Sequence, residues 1–408
     1  LNRKTFLSAC IRIRIKGVTN VILGLQMAYD VLQIRLPAVR VATGLYVNWD
    51  TFVAVNDEIL RLIESSEKAP LRGVVLDSVK ELMYALHEAS QRGGKEYLAS
   101  KKVYDWIDSR FKNRPARLGG TGLNMGSILL ELGLRPLVSY PCRSERLMQA
   151  SPNFAVADKG SLKRPIETIR REDEEYDHIV FEFKKGRLIL SWDPVSSQGR
   201  FDYDFLELAT SKRHTDVLVM GYAHLLLPRF KERTDDLVDF LDSIERPRVH
   251  IEFGGGSIES MKYAMKKFAE KHCSDSWGFN EKECVDLLGA ESESLIDVKD
   301  AAVEAVQAYD LSRICVHSDR YAFSASRYDP RKEVDALMCA CLASSSKTLG
   351  KIDFERARKL PVSDVRITRE RIGSYNFCLV PTLQNENPRV LTGLGDSFAA
   401  VQAVKILT

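Results

Sequence analysis

The sequence predicts an α/β fold built on a mostly parallel sheet. Three observations predict it. After residue 203, nearly continuous apolar runs (DVLVMGY, RVHIEFG, RICVHS, FCLVPT) alternate with helix-period segments such as ESMKYAMKKFAEKH and KDAAVEAVQAYDL. Runs of that kind are strands buried on both faces, and the alternation joins them by crossover helices. A similar run, VRVATGLYV, stands near the start, and the chain ends on a glycine turn that opens at once into an apolar helix.

Taken in order, residues 1–35 match no usable pattern, although QMAYDVLQIRL can form a helix. The run VRVATGLYV leads into NWD, so Asn48 and Asp50 are expected just past a strand's carboxyl end. Ligands of open α/β sheets bind there, and Asn and Asp also favour plain turns. Residues 53–93 read as helical, with Val79, Leu82, Met83 and Leu86 on one face and His87 on the helix surface. RGGKEYLAS reads as a glycine turn entering a strand. In RPARLGGTGLNMGSILLELG a second glycine turn opens a helix that stops at Gly133. Gly119, Gly120 and Gly122 allow backbone to approach either a ligand or a neighbouring element. Residues 141–175 are polar, and RREDEEYD at 170–177 reads as a solvated face. HIVFEFKKGRLILSWD alternates around KKG as a hairpin, with His178 at its start.

The stretch ENPRVLTGLGDSFAAVQAVKIL carries the strongest chemistry. Gly393 and Gly395 permit a backbone path that a Cβ would block. Ala400, Ala403, Val404 and Leu407 then repeat at helical spacing, and Phe398 and Val401 form a second apolar pair. The first N–H groups of such a helix form an anion site, with phosphate as the usual occupant. Asp396 would repel a phosphate unless it has another task. Either it caps the helix, or it takes a proton from an attacking hydroxyl. No G-K-[ST] follows the glycines, which excludes a P-loop, and the chain ends too soon after them for a dinucleotide fingerprint.

Bulk properties exclude other classes. With 45% hydrophobic and 28% charged residues, the 408-residue chain has the composition of a globular protein of one or two domains. A net charge of +3 gives no argument for nucleic acid or a membrane surface. FLSACIRIRIKGVTNVILGL is broken by Arg12, Arg14 and Lys16, so it reads neither as a membrane span nor as a signal-peptide core. The eight scattered cysteines form no C-x-x-C, and reduced, mostly buried thiols in a cytoplasm are expected.

PTLQNENPRVLTGLGDSFAA resembles the C-terminal signature of the archaeal ADP-dependent glucokinase and phosphofructokinase family, within the ribokinase-like superfamily. RLGGTGLNMG, the H-x-E of VHIEFG and the N-x-x-E of GFNEKE match further family motifs in the family's order. The resemblance spans roughly residues 40 to 405. It implies a three-layer α/β/α domain with a mostly parallel sheet and a small discontinuous lid. The expected large domain is 1–50, 116–142 and 204–408; the expected lid is 51–115 and 143–203, closing over a sugar.

The resemblance also implies roles. Asp396 would be the general base, Gly393, Leu394 and Gly395 would cradle phosphate, and Arg200 in SSQGRFDY would be the cation. Gly393, Gly395 and His317 would face the nucleotide. Asn48, Asp50, Gly120, Thr121 and His178 would hold the sugar. Glu252 and Glu283 would hold Mg²⁺ through water, supported by His250 and Asn280, although Glu283 in EKECVDLLG otherwise reads as a surface helix residue. The sequence departs from the family at Tyr46, where the family has Asn, and at Thr121, where it has Gln. A family Glu that contacts glucose aligns with either Leu98 or Glu96.

The expected protein is thus a cytoplasmic kinase passing the β-phosphate of ADP to glucose, fructose 6-phosphate or a related sugar, releasing AMP. Its partners are expected to be small molecules, with no nucleic acid or membrane, and the chain to be a monomer or small homo-oligomer. The alternatives are a same-fold kinase for another polyol or sugar phosphate, and an inactive sugar or nucleotide sensor.

Overall fold

The computed structural model describes residues 25–73, 75–92, 96–183, 186–192, 200–222, 229–242, 245–253, 257–390 and 392–408. In chain order the strands are β1 (Val41–Gly44), β2 (Asn48–Ala54), β3 (Val75–Leu76), β4 (Glu96–Ala99), β5 (Ala116–Gly119), β6 (Leu137–Val138), β7 (Val156–Asp158), β8 (Ser161–Lys163), β9 (Asp177–Phe183) and β10 (Gly186–Ser191). There follow β11 (Val217–Tyr222), β12 (Arg248–Phe253), β13 (Ser276–Phe279), β14 (Arg313–His317), β15 (Tyr321–Ser326), β16 (Thr368–Ile372) and β17 (Tyr375–Pro381).

Nine strands form one sheet in the order β16-β17-β15-β14-β13-β12-β11-β1-β6. From β14 to β6 every pairing is parallel; β15, β17 and β16 complete the sheet antiparallel. All six residues of β11 are buried, which explains its continuous apolar run: helices cover both faces. One face packs on helices Phe230–Leu241, Ile258–Glu270 and Leu295–Ala308, through Leu237, Met265 and Val306. The other packs on helices Thr121–Glu131, Pro330–Lys347 and Leu394–Leu407, through Ile128, Leu337 and Val401. The result is the expected three-layer arrangement.

The C-terminal helix is buried all round from Ser397 to Val404. That is why its sequence is apolar on every side rather than striped. Three strands escape the sequence pattern. β13 (SWGF) and β15 (YAFSAS) are short or rich in Ser and Ala, and β16 (TRERI) is a charged edge strand.

Six strands form a second sheet, β3-β4-β10-β9-β2-β5, with its own core around Ile63, Leu86, Ile107 and Leu188. The predicted hairpin is β9 paired antiparallel with β10, and it lies in this second sheet. Its KK turn lies outside the described residues, as do the triple glycine at 254–256, the stretch 1–24 with Cys10, and 193–199.

Strand pairing moves several expected boundaries. The run VRVATGLYV breaks at Gly44, so Asn48 and Asp50 open a strand of the second sheet. Residues 116–119 pair with β2 in that sheet rather than with the large one. Residues 154–157 instead join the large sheet's side, where Val138 N–H donates to Ala155 O at 2.9 Å. The helical reading of 53–93 resolves into Asp57–Ser65 and Val79–Arg92, separated by β3. The charge run is not wholly solvated: Asp173 accepts from the Arg143 N–H at 2.7 Å. The described cysteines are buried thiols outside any disulfide. No helix among the described residues is long and apolar enough to cross a membrane.

Candidate active site

Gly393 precedes the C-terminal helix with φ +68°, in the left-handed region, and a Cβ there would overlap the Asn124 side chain. Only glycine meets both demands. No side chain caps this helix start, so its first-turn N–H groups and positive dipole end are available to an anion. A Cβ on Gly395 would lie 3.0 Å from the His317 ring, which also packs on Phe398 at 5.2 Å between centroids. His317, Gly393 and Gly395 therefore share one small region.

Asp396 is the third residue of that helix and is not its cap. Its Oδ2 accepts from Asn124 Nδ2 at 2.9 Å. Lys347 Nζ donates to Asn124 Oδ1 at 2.7 Å and to the Gly393 carbonyl at 3.1 Å. Burial pushes the Asp396 carboxyl above the usual carboxylate range; Lys347 and Asn124 oppose that rise, Glu252 adds to it, and Arg187 opposes it. Burial likewise lowers the Lys347 ammonium to about 8, against the pull of Asp396.

The H-x-E and N-x-x-E pairs lie at the ends of neighbouring strands. Glu252, near the end of β12, faces Gly278 of β13, where any Cβ would overlap its carboxylate. Burial alone would raise Glu252, but His250 and His317 together bring it down to about 2. His250 is fully buried, with Nδ1 2.9 Å from Ser276 Oγ and Nε2 3.2 Å from Glu252 Oε1. It therefore supports Glu252 from behind.

Asn280 and Glu283 form a reciprocal helix cap. Asn280 Oδ1 accepts from the Glu283 N–H at 2.9 Å, and Glu283 Oε2 accepts from the Asn280 N–H at 2.8 Å. The spacing thus has a local structural purpose as a capping box. Burial first, and then the Glu252 charge, raise Glu283 to about 7. Two carboxylates that disturb one another suit a hard cation. No cluster of three or more His, Cys, Asp or Glu side chains that could hold a metal occurs among the described residues.

The sugar-side residues come from separate strands of the second sheet. In register, Asp50 of β2 lies opposite Arg117 of β5 and His178 of β9. Asn48 Nδ2 donates to Asp50 Oδ1 at 2.7 Å. Gly119 leaves room for the Asp50 carboxylate. Gly120, at φ +93°, lies so close that a Cβ would be 2.5 Å from the Tyr46 carbonyl and 2.7 Å from Asn48 Oδ1. Burial raises Asp50, offset by His178, Asn48, Arg117 and Arg187.

Glu96, on β4, joins this group. Its carboxyl is raised by burial and influenced by His178 and Asp50, and its Oε1 accepts from Ser191 Oγ at 3.3 Å. The two departures from the family are absorbed into packing. Tyr46 is buried in the core beneath the large sheet, while its carbonyl accepts from the Gly122 N–H at 2.9 Å. Thr121 Oγ1 donates to the Gly44 carbonyl at 3.2 Å.

The Arg200 guanidinium pairs with Asp173 at 3.2 Å. Arg187 contributes a small favourable charge at both Asp50 and Asp396. Arg117 Nη2 donates to Thr392 Oγ1 at 2.7 Å, tying the second sheet to the C-terminal turn. Sequence reasoning missed Asn124, Lys347, Arg117 and Arg187. Asn124 was within reach, since it sits inside the GGTGLNMG motif; Lys347 ends an ordinary helix and carries no motif.

Residues 39–404 match the family model described as the ADP-specific phosphofructokinase/glucokinase conserved region. An ADP-specific phosphofructokinase of Pyrococcus abyssi is 24% identical over 89% of this chain and 96% of its own length. One from Pyrococcus horikoshii is 23% identical over 74% of this chain and 81% of its own. Among solved structures, an ADP-dependent kinase in complex with fructose 6-phosphate and ADPβS aligns over 97% of this chain and 99% of its own, with a TM-score of 0.75 and 16% identity. A phosphofructokinase of Pyrococcus horikoshii with AMP aligns over 91% and 98%, with a TM-score of 0.66 and 17% identity.

Proposed function

This chain belongs to the ADP-specific phosphofructokinase/glucokinase family, and on that premise we propose how its residues carry out the transfer. The protein is an ADP-dependent sugar kinase: it moves the β-phosphate of ADP to a sugar or sugar-phosphate hydroxyl and releases AMP. Asp396 accepts the proton of the acceptor hydroxyl. That oxygen forms a bond to the β-phosphorus as the bond from phosphorus to the AMP oxygen breaks. The uncapped helix start at Gly393–Gly395 receives the transferred phosphoryl group, and Arg187 supplies the cation between donor and acceptor. Asn48, Asp50, His178 and Glu96 hold sugar hydroxyls, with Gly120 letting backbone come close. His317 lies on the nucleotide side.

Glu252 and Glu283 would hold Mg²⁺, with His250 behind Glu252. When bound, the ion supplies charge neutralisation for the phosphates. The second sheet, with residues 48–119 and 177–192, acts as the lid over the sugar, and Arg117 reaches from it to Thr392. The protein works on small molecules as a cytoplasmic enzyme.

The observation that carries this reading is that Asp396 leads an uncapped helix without serving as its cap. A helix start that uses its acidic residue for neither capping nor ion pairing at the surface points to chemistry. The test is AMP formation from ADP and Mg²⁺ over a panel containing glucose, fructose 6-phosphate and other polyols and sugar phosphates. AMP appearing with one acceptor supports transfer. Tight ADP binding with no AMP from any acceptor would instead favour the inactive sensor.

A further inference from the structure

Three side chains distant in sequence form one chain of contacts behind Asp396. Lys347 closes helix Pro330–Lys347, Asn124 lies on helix Thr121–Glu131, and Asp396 lies on the C-terminal helix. A lysine ammonium can only donate, and an ionised carboxylate can only accept. Asn124 lies between one of each. Its amide orientation is therefore dictated from both ends: Oδ1 toward Lys347 at 2.7 Å, Nδ2 toward Asp396 Oδ2 at 2.9 Å.

The same ammonium donates to the Gly393 carbonyl at 3.1 Å, so it fixes the turn and the carboxylate together. Gly393 in turn makes room for Asn124. Asn124 makes the one hydrogen bond to the Asp396 carboxylate among the described residues, and it engages Oδ2 alone.

We propose that Lys347 and Asn124 are positioning residues for the transfer: they lock the Asp396 carboxylate by one oxygen and so present the other, Oδ1, to the acceptor hydroxyl. This rests on the reading of Asp396 as the general base. A carboxylate free to turn about its Cβ–Cγ bond would spend much of its time misaimed, and a misplacement of about 1 Å can cost on the order of 100-fold in rate. Neither side chain needs to touch the sugar or the nucleotide.

Asn124→Asp separates positioning from packing. It keeps the volume under Gly393 and the acceptor for Lys347, removes the donor to Asp396, and sets a second carboxylate against that of Asp396. Lys347→Met and Lys347→Arg form a second pair, in which only the arginine retains donors. Each is measured alone and combined with Asp396→Asn, recording kcat, KM for ADP, KM for the acceptor and melting temperature. The expected result is a fall in kcat of about 10- to 100-fold for Asn124→Asp with both KM values nearly unchanged, a lower melting temperature from the paired carboxylates, and an acid limb of the pH profile moved to higher pH. Lys347→Arg should recover most of the kcat that Lys347→Met loses. Asn124→Asp should not lower kcat further once Asp396 is Asn, because it acts through that carboxylate; Lys347→Met should lower it further only through the Gly393 turn.

Wild-type kcat in Asn124→Asp, beside an impaired Asp396→Asn enzyme, overturns the positioning role alone. So do losses that multiply fully in the double variants, since those would show an independent task. Wild-type turnover in Asp396→Asn overturns the base assignment itself and this proposal with it.

Discussion

The two halves of the site are assembled in different ways. Around Asp396 the parts are close in sequence and then locked: Gly393, Leu394, Gly395 and Asp396 are consecutive, and half-buried partners on two other helices tie them down. Around Asp50 nothing is consecutive. Asp50, Arg117, His178 and Glu96 come from β2, β5, β9 and β4 and meet only because the strands pair in one register. In the proposed reading the phosphate half is a local motif braced by the fold, whereas the sugar half is a product of topology. A local motif tolerates drift elsewhere in the chain; a register-built pocket changes with any strand that lines it, which suits the part that selects among acceptors.

Variants can break that comparison. The largest separable effect is expected for Asp50→Ala. Charged hydrogen bonds are worth about 1.5–3 kcal/mol, so KM for the acceptor should rise roughly 10- to 150-fold with KM for ADP little changed. Steady-state kinetics with each substrate varied in turn checks this. An equal rise for ADP would mean that the halves are not independent.

Gly393→Ala should show the opposite signature. A left-handed non-glycine residue costs about 1–2 kcal/mol, and the added methyl meets Asn124. We expect a loss of roughly 5- to 30-fold in kcat/KM for ADP, a lower melting temperature, and acceptor KM close to wild type. Unchanged ADP kinetics would remove the turn from the phosphate site.

The smallest effect is in the pH profile. Lys347, lowered by burial to about 8, helps the site only while protonated. Its contribution is therefore present below about 8 and is lost as pH rises through that value, as an alkaline limb in kcat/KM. Asp396 must be ionised, so its raised carboxyl sets a limb on the acid side, where activity falls with falling pH. Lys347→Arg stays charged and should abolish the alkaline limb. If the limb persists unchanged in that variant, another group titrates there.

What was legible in the sequence follows from the same contrast. The parallel strands announced themselves because burial on both faces leaves a continuous apolar run, as in β11. The glycine turn was legible because the conformation of Gly393 depends on its own few residues. β13 and β15 were not legible, because Ser, Gly and Ala become strand residues only when neighbours bury them. The break after Gly44 was hidden for the reverse reason: both sides of it are apolar, so the run reads on past the end of β1 to the start of β2. Asn280 and Glu283 show how one spacing can carry two meanings, since a metal-site motif and a capping box share Asn-x-x-Glu. Arg187 and Lys347 carried no signal at all, because a cation's partners are chosen by the fold.

The claim that Asp396 works as a base, and not as a helix cap, is tested most directly by turnover and melting temperature measured together on Asp396→Asn. Asn is nearly isosteric, and the helix start does not depend on this side chain for its cap. ADP affinity and melting temperature should therefore stay near wild type, while kcat falls about 100- to 10,000-fold because no group takes the hydroxyl proton. Near wild-type turnover, with or without a change in melting temperature, would contradict the account.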